Sequence, residues 1–391
     1  MPGSAKKRFQ PFSISEYHHT ARSNGGCQLS IKKDALRILV LWSRPSGYLH
    51  GCLEALASRP EVKRVELIIQ DRGDTSAPFD RARLRGSYTR HEIPVPLKYD
   101  RIRHIAESLN PHLILAGGSW REKAYQRLLK EFRQHATRVL CMDTQWQGRP
   151  RQWLMATNMR LRRSARYDRV FAAGERQKQY ALRMGFKEEH IQTGLYACEH
   201  EAFAQAAAAS AASRHEAPAF LFVGRLIERK GLTELLAGYA MYRQIVKNPW
   251  PLRVCGAGPL EREVKAAEGV EYLGFVQPKS LPQIMARHTV LLTPSHDEPW
   301  GVVIHEAASA GMGIICSAAC GAGEAFVRHG ENGLVLPKVA PDAIRQALMA
   351  FSGKSIEQLR LASTTSHRLA AAHTPRDWAR IVTNFVVENV S

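Results

Sequence analysis

The sequence predicts an α/β protein of two doubly wound domains, each a parallel sheet covered by helices, facing a shared crevice. Three observations predict this class. The 391 residues are too many for one ordinary core, short apolar runs alternate with helix-like segments, and an alanine-rich passage interrupts that alternation near the middle. Doubly wound sheets bind ligands at the carboxyl ends of their strands, so the crevice would seat two substrates.

The first half of the chain begins with a polar arm, residues 1–34, followed by a predicted domain over 35–203. A helical pattern begins near Leu49, directly after the first strand and a turn-rich segment. The predicted strands are 36–42, 65–69, 112–116, 138–142 and 169–173, with helix-like segments at 101–109 and 121–134.

The second half repeats this alternation after a predicted linker at 204–217. We predict a second domain over 218–376, and an amphipathic helix within 377–391 that packs back across the first domain. The predicted strands of the second domain are 219–223, 252–255, 270–273, 290–293 and 313–316.

The positive charge of the chain is concentrated in its first half. Residues 1–200 carry 36 Lys and Arg against 19 Asp and Glu, a net charge of +17, whereas residues 201–391 carry 19 against 17. This asymmetry predicts an anionic partner for the first half: a membrane surface, an acidic acceptor or nucleic acid. The densest clusters of this positive charge are a basic run at 159–169 and the arginines at 81, 83, 85 and 90. A solvated, solubilising surface is the alternative.

The cysteines and the apolar segments predict the cellular setting. The seven cysteines are scattered without a C-x-x-C pair, which indicates neither a zinc site nor a disulfide framework. The sequence shows no secretory signal and no apolar stretch long enough to span a membrane. We expect a cytoplasmic protein, with the inner face of the plasma membrane as a peripheral location.

Two carboxylates follow the strand at 290–293 and bracket a predicted helix start. Pro299 suits the first turn of a helix, so we predict that the helix begins near Trp300. The free N–H groups of Gly301, Val302 and Val303 would then bind a diphosphate. Glu298 would lie at the crevice mouth and Glu306 within two turns, each able to accept hydrogen bonds from vicinal hydroxyls. Spacing alone also fits an electrostatic cap and an ordinary helical glutamate.

A basic loop follows the strand at 219–223. Gly224 and Arg225 leave the strand end, and Lys230 follows within the same short loop. A guanidinium and an ammonium placed there would stabilise the charge that accumulates on a departing nucleoside diphosphate. Phe275 and Val276 follow another strand, where they would contact a base or fill the core. The Gly-Ala-Gly turn at 256–258 lacks the spacing of a dinucleotide fingerprint, so no such cofactor is predicted.

Taken together, these motifs resemble those of glycosyltransferase family 4, a family of retaining enzymes. The motifs are F-V-G-R-L, K-G, G-A-G-P, L-G-F-V and P-S-H-D-E-P-W-G-V-V-I-H-E-A, followed by Glu324 and N-G-L-V. The resemblance covers residues 219–337, and the first half only in outline. It implies the GT-B fold and the E-x7-E signature of that family, which residues 298 and 306 satisfy.

By motif position, the resemblance implies a role for each residue of the second half. Arg225 and Lys230 would bind the donor diphosphate, together with the backbone N–H groups of 301–303. Glu298 would bind the hydroxyls of the sugar, and Glu306 those of the ribose. Arg225, Lys230 and Glu298 are therefore the predicted catalytic residues, and no divalent metal or other cofactor is required because the two cations neutralise the phosphates.

The first half offers weaker candidates for the acceptor side. Ser46 and Gly47 follow the first strand, and Gly118 follows the strand at 112–116. Asp143 follows the strand at 138–142, at a position where many members of the resembled family carry histidine. This departure leaves the identity of an acid or base in the first domain open.

These observations predict transfer of a hexose from a UDP- or GDP-sugar to an acceptor hydroxyl with retention, in polysaccharide or glycolipid assembly. The basic first half favours a lipid-linked or lipopolysaccharide-like glycan acceptor and peripheral contact with an anionic membrane. A nucleotide-sugar epimerase of the same fold is one alternative. A nucleic-acid-binding protein is the other, supported by charge alone, since no nucleic-acid motif is present and no specific nucleic acid is predicted.

Overall fold

Two parallel β-sheets organise the protein. The computed structural model describes residues 35–44, 46–71, 86–117, 122–162, 166–210, 214 and 216–387. The first sheet contains β1 (Leu36–Trp42), β2 (Val62–Asp71), β3 (Thr89–Pro94), β4 (Leu113–Gly117), β5 (Thr137–Met142), β6 (Arg169–Ala172) and β7 (Ile191–Thr193). The second contains β8 (Phe220–Val223), β9 (Leu252–Cys255), β10 (Val270–Gly274), β11 (Val290–Thr293), β12 (Gly313–Ser317) and β13 (Gly333–Leu336).

Both sheets have the same winding. Their orders are β3-β2-β1-β4-β5-β6-β7 and β10-β9-β8-β11-β12-β13, and all neighbouring pairs are parallel. In each sheet the order reverses beside the first strand, β1 or β8, which creates a crevice at the carboxyl ends. The predicted class of two doubly wound α/β domains is therefore confirmed.

Helices cover both faces of the sheets. The first domain contains α1 (Gly47–Ala57), α2 (Tyr99–Leu109), α3 (Lys123–Glu131), α4 (Pro150–Arg162) and α5 (Glu175–Arg183). They are followed by α6 (His200–Ala209), α7 (Leu232–Ile245), α8 (Glu261–Ala266), α9 (Leu281–Ala286), α10 (Val302–Ser309), α11 (Ala322–Phe326), α12 (Pro341–Ser352), α13 (Ile356–Ala370) and α14 (Pro375–Val387).

The predicted strands appear within one to three residues of their expected bounds, but three edge strands escaped prediction. Strand β3 alternates polar and partly exposed residues, β7 is three residues long, and β13 is a half-buried edge. Central parallel strands are buried on both faces and read as continuous apolar runs, whereas edge strands lack that signal.

The chain crosses between the domains earlier than predicted. Helix α6 packs against α9 and α10 of the second domain, burying Phe203 and Ala207. The first part of the alanine-rich passage is thus a helix with a buried apolar side. The crossing therefore lies in the segment 194–199, between β7 and α6, rather than at 204–217.

The last helix returns to the first domain. Helix α14 packs against α1, and the indole N–H of Trp378 donates a 2.8 Å hydrogen bond to the carbonyl oxygen of Leu195. Phe171 of β6 packs against the rings of Trp378 and Phe385. One apolar cluster consequently runs from the first sheet through α14 into the second domain.

Some predicted features lie outside the described residues. These are the polar arm 1–34, Gly118, the arginines at 81, 83 and 85, residues 163–165 of the basic run, positions 211–213 and 215 of the predicted linker, and residues 388–391. In the part of the chain that is described, no helix is both long and apolar enough to cross a bilayer.

Candidate active site in the interdomain cleft

The crevice of the second sheet brings together the loops that follow β8 and β11. These strands are direct neighbours, so their carboxyl ends open side by side. The loop after β8 ends in a short 3₁₀-helix, Glu228–Lys230, and the loop after β11 contains Glu298. Two segments almost 70 positions apart are thereby placed at one point of the fold.

Lys230 and Glu298 form an ion pair at this point. The Nζ atom of Lys230 donates to Oε2 of Glu298, and their side chains are 16% and 14% exposed. Gly231 makes this approach possible: its φ is +68°, and a Cβ there would lie 1.9 Å from the carbonyl oxygen of Pro294. Lys230 and Glu298, which were predicted to act on the same ligand, are therefore in contact. The close packing of the two loop backbones at Gly231 and Pro294 permits this contact.

Helix α10 begins two residues later than predicted. Its first residue is Val302, and Gly301 precedes it with a left-handed φ of +93°. Residues 298–300 stay outside the helix, because the carbonyl oxygens of Glu298 and Trp300 accept hydrogen bonds from the N–H groups of Gly321 and Ala322. The helix dipole and the N–H groups of its first turn still point into the crevice.

Glu306 lies on the next turn of α10, where its side chain is partly buried. Burial and, second, the negative charge of Glu199 raise the pKa of Glu306 to about 7. Glu199 comes from the crossing segment and was not singled out in the sequence. At neutral pH, the Glu306 carboxyl group is therefore divided between its protonated and ionised forms.

Arg225 supplies the free positive charge of the crevice. Its side chain is exposed, and its guanidinium makes no ion pair or hydrogen bond with another described residue. The backbone around it is fixed, since the N–H of Gly224 donates 3.0 Å to the carbonyl oxygen of Cys255. Because Lys230 is paired with Glu298, Arg225 is the cation that most readily meets an incoming anion.

The Gly-Ala-Gly turn after β9 packs against the backbone of the loop that contains Arg225. A Cβ on Gly256 would lie 1.8 Å from the carbonyl oxygen of Gly224, and one on Gly258 would lie 2.5 Å from that of Leu226. The turn is thus a close contact between backbones. Phe275 and Val276, which follow β10, are partly exposed near this loop group.

On the first domain, Asp143 faces this site from the end of β5. The hydroxyl of Tyr196 donates to its Oδ2 atom at 3.2 Å, and Tyr196 packs edge-on against Tyr48 with ring centroids 5.1 Å apart. Desolvation raises the pKa of Asp143. The hydrogen bond from Tyr196 lowers it in part, and the charge of Glu298 adds a smaller increase. Asp143 is therefore the first-domain carboxylate that lies on the opposite side of the cleft from Glu298.

Tyr48 and Tyr196 were not predicted as site residues, for different reasons. Tyr48 directly follows Ser46 and Gly47 and lies in the first turn of α1, so its position close behind β1 was a usable signal. Tyr196 follows β7, a strand too short to be recognised. Ser46 accepts a 3.4 Å bond from the N–H of Leu49 and so caps α1, and Gly47 approaches Pro278 of the second domain.

Direct hydrogen bonds join the two walls of the cleft. The buried amide Nε2 of Gln177 donates to the carbonyl oxygens of Asp143, at 2.9 Å, and Pro299, at 2.8 Å. Arg176 pairs with Glu324 at 2.6 Å. These contacts fix the distance between the Asp143 side of the cleft and the Glu298 side.

No group of three or more His, Cys, Asp or Glu side chains among the described residues is arranged to hold a metal ion.

Comparison with known proteins finds a family to which part of this chain is similar. Residues 205–367 match the family described as glycosyl transferases group 1. A D-rhamnosyltransferase of Pseudomonas aeruginosa is 33% identical over 138 residues, which are 33% of this chain and 34% of the relative. The O-antigen chain mannosyltransferase B of Escherichia coli is 30% identical over 132 residues, 32% of this chain and 34% of the relative. The chain thus aligns with about a third of the length of these relatives.

Solved structures extend the likeness to nearly the whole chain. Anabaena HepE in complex with UDP has a TM-score of 0.69 at 17% identity and covers 90% of this chain and 100% of its own. Sucrose-phosphate synthase from Thermosynechococcus elongatus has a TM-score of 0.68, also at 17% identity, covering 90% of this chain and 99% of its own. At such identities the likeness concerns the fold, which is GT-B.

The raised pKa of Glu306 predicts a pH-dependent stability. The unfolded chain ionises this group above about pH 4.5, whereas the folded protein holds its proton up to about pH 7. Stability therefore falls as pH rises between these values. We expect the Glu306→Gln variant to have a higher melting temperature than the wild type at pH 8. The increase should be about 2–4 °C for each kcal/mol gained in the free energy of unfolding, and it should vanish near pH 5.

Thermal melts at pH 5, 6, 7 and 8 test this expectation. Glu268→Gln is the control, since Glu268 is 88% exposed, and its effect should not vary in this way with pH. A Glu306→Gln effect of equal size at pH 5 and pH 8 would contradict the assignment.

Proposed function

We propose that this protein is a retaining glycosyltransferase that moves a hexose from a UDP- or GDP-sugar to an acceptor hydroxyl. The observation that carries the proposal is the Lys230–Glu298 pair at the crevice of the second sheet, directly before the start of α10. Cations, a helix N-terminus and a carboxylate meet there at the usual ligand position of a doubly wound sheet. A nucleotide-sugar needs these groups: positive charge for the diphosphate and acceptors for the hydroxyls.

In the proposed reaction, the diphosphate lies between Arg225 and the first turn of α10. As the bond from the anomeric carbon to the diphosphate breaks, negative charge grows on the leaving oxygen. Arg225, Lys230 and the N–H groups of 301–303 stabilise that charge more in the transition state than in the ground state. The acceptor oxygen forms its bond to the anomeric carbon as the bond to the diphosphate breaks, the acceptor hydroxyl gives its proton to the departing diphosphate, and two cations are present for the remaining charge. We therefore propose that no metal ion is required.

The remaining groups would orient the donor and the acceptor. Glu298 accepts hydrogen bonds from the sugar hydroxyls, and Lys230 holds its carboxylate in place. Glu306 accepts the ribose hydroxyls in its ionised form, and Phe275 and Val276 line the position of the base. Across the cleft, Asp143 and Ser46 lie on the side from which the acceptor would approach.

The names of the relatives suggest the kind of product. Two of them are a D-rhamnosyltransferase and an O-antigen chain mannosyltransferase, and one structural neighbour binds UDP. Together with the basic first half of this chain, they support a role in cell-surface polysaccharide or glycolipid assembly at the cytoplasmic side of a membrane.

A donor screen tests the proposed function. The purified protein is incubated with UDP- and GDP-linked hexoses, with and without EDTA, and release of the nucleoside diphosphate is measured. We expect one donor class to be hydrolysed slowly without an acceptor, at the same rate in EDTA. Proton NMR of a transfer product should show the anomeric configuration of the donor. Interconversion of the sugar without transfer would instead identify an epimerase, and no turnover of any donor would refute the proposal.

A further inference from the structure

Helix α4 of the first domain exposes apolar side chains in an unusual concentration. Trp153, Leu154 and Leu161 are 57%, 72% and 80% exposed. Helical spacing places these three residues on one face, since 154 and 161 are seven apart and 153 lies beside them. The opposite face of α4 is the buried one, where Ala156 and Met159 join the core. The helix thus points an apolar stripe outward although it already has a core side.

The charges around this stripe have one sign. From Arg149 to Arg162 the sequence contains four arginines and no aspartate or glutamate. Arg149, Arg151 and Arg160 are exposed, and none of them forms an ion pair with another described residue. An apolar stripe flanked by unpaired arginines matches an anionic lipid surface, because the headgroups meet the guanidinium groups and the acyl chains meet the apolar residues.

The stripe adjoins the cleft. Trp153 packs edge-on against Trp146, with ring centroids 4.9 Å apart, and Arg183 of α5 lies over the Trp146 ring. Trp146 belongs to the segment that connects Asp143 to α4, and Gln147 in that segment donates to Asp297 of the second domain at 3.3 Å. A surface that covered α4 would therefore border the acceptor side of the cleft.

We propose that the outward face of α4 is the site through which this protein binds an anionic membrane. Trp153, Leu154 and Leu161 insert among the headgroups, and Arg149, Arg151 and Arg160 bind lipid phosphates. Docked in this way, the protein presents the rim of its cleft to the lipid surface, where an acceptor carried on a lipid is within reach. The binding itself does not depend on the proposed sugar transfer.

Vesicle flotation tests the surface directly. The full chain is mixed with vesicles of phosphatidylcholine alone or with 30% phosphatidylglycerol, and the bound fraction is measured at low and high salt. We expect binding to the anionic vesicles that weakens with salt. The triple variant Trp153→Ser, Leu154→Ser, Leu161→Ser should bind at least tenfold more weakly, and Arg149→Gln with Arg151→Gln and Arg160→Gln should remove most of the salt dependence.

A matched control uses apolar residues exposed elsewhere. Ile356 and Leu361 of α13, in the second domain, are 52% and 68% exposed, so Ile356→Ser with Leu361→Ser changes a comparable surface. This variant should bind vesicles as the wild type does, and all variants should keep the melting temperature within a few degrees because the substituted side chains are exposed. The proposal would be overturned if the wild-type protein did not bind anionic vesicles, or if the α4 variants bound them as well as the Ile356→Ser, Leu361→Ser variant does.

The same samples separate this proposal from the proposed function. Hydrolysis of the nucleotide-sugar is measured without lipid. Protein that binds vesicles through α4 but hydrolyses no donor would leave the membrane surface standing and refute the transferase. The triple α4 variant should retain wild-type donor hydrolysis in solution.

Discussion

Lys230→Ala and Glu298→Ala are each expected to lower the rate of sugar transfer by about 10²–10³-fold, the range for loss of a charge-stabilising group at a reacting centre. The physical reason is the position of the pair, where the diphosphate leaves the anomeric carbon in the proposed reaction. Initial rates with the donor identified in the screen give kcat and KM for each variant. We expect the loss mainly in kcat, since the contact strengthens in the transition state.

A lysine–glutamate pair elsewhere supplies the control. Lys178 contacts Glu188 at 2.6 Å on the first domain, so Lys178→Ala removes an ion pair of the same residue types at a more exposed position away from the crevice. It should leave transfer within about twofold. Lys230→Ala with kcat near the wild-type value would contradict the assignment of this pair.

The double variant Lys230→Ala, Glu298→Ala distinguishes chemistry from folding. Each single variant leaves an unpaired charge in a mostly buried position, which destabilises the protein. The double variant removes both charges, so it should melt at a higher temperature than either single variant. Its transfer activity should nevertheless remain lost. Recovery of activity together with stability would show that the pair acts only in folding.

Gly231→Ala is expected to damage both the stability and the activity of the second domain's crevice. The left-handed φ of +68° costs a residue with a Cβ about 1–2 kcal/mol. The new Cβ would also meet the carbonyl oxygen of Pro294 at 1.9 Å, so the loop must move. We expect destabilisation of more than about 3 kcal/mol and, because Lys230 moves with the loop, a loss of transfer similar to that of Lys230→Ala.

Gly330→Ala separates backbone strain from the clash. Gly330 has a φ of +87°, but no atom lies within 4 Å of a Cβ placed there. Its substitution should therefore cost only the strain, about 1–2 kcal/mol, and should not affect transfer. Thermal melts and initial rates of the two variants measure the difference. Equal effects of the two substitutions would show that the contact with Pro294 is unimportant.

The second domain was the easier half to predict. Its central strands are short apolar runs, and the residues of the crevice come directly after them. Gly224 and Arg225, for example, follow Val223 at the end of β8. In a doubly wound sheet, that adjacency places them at the ligand edge without further information. The start of α10 was placed two residues too early, because the hydrogen bonds that hold residues 298–300 outside the helix come from Gly321 and Ala322, which are distant in sequence.

The first domain gave weaker signals at its site. Asp143 was found because it follows a buried strand, but its partner Tyr196 follows an edge strand of three residues. Glu199 raises the pKa of Glu306 from a segment that the sequence assigned to no site. Such contacts join segments that are far apart in the sequence, and no local pattern records them.

The sequence by itself determined the two doubly wound domains and the order of the residues along the second crevice, because apolar periodicity and position after a strand are local properties. Only the tertiary structure decided that Lys230 pairs with Glu298, that Asp143 faces the pair across the cleft, and that α4 turns an apolar face outward. These depend on which surfaces remain uncovered and which loops meet once both sheets are packed, and packing is a property of the whole chain.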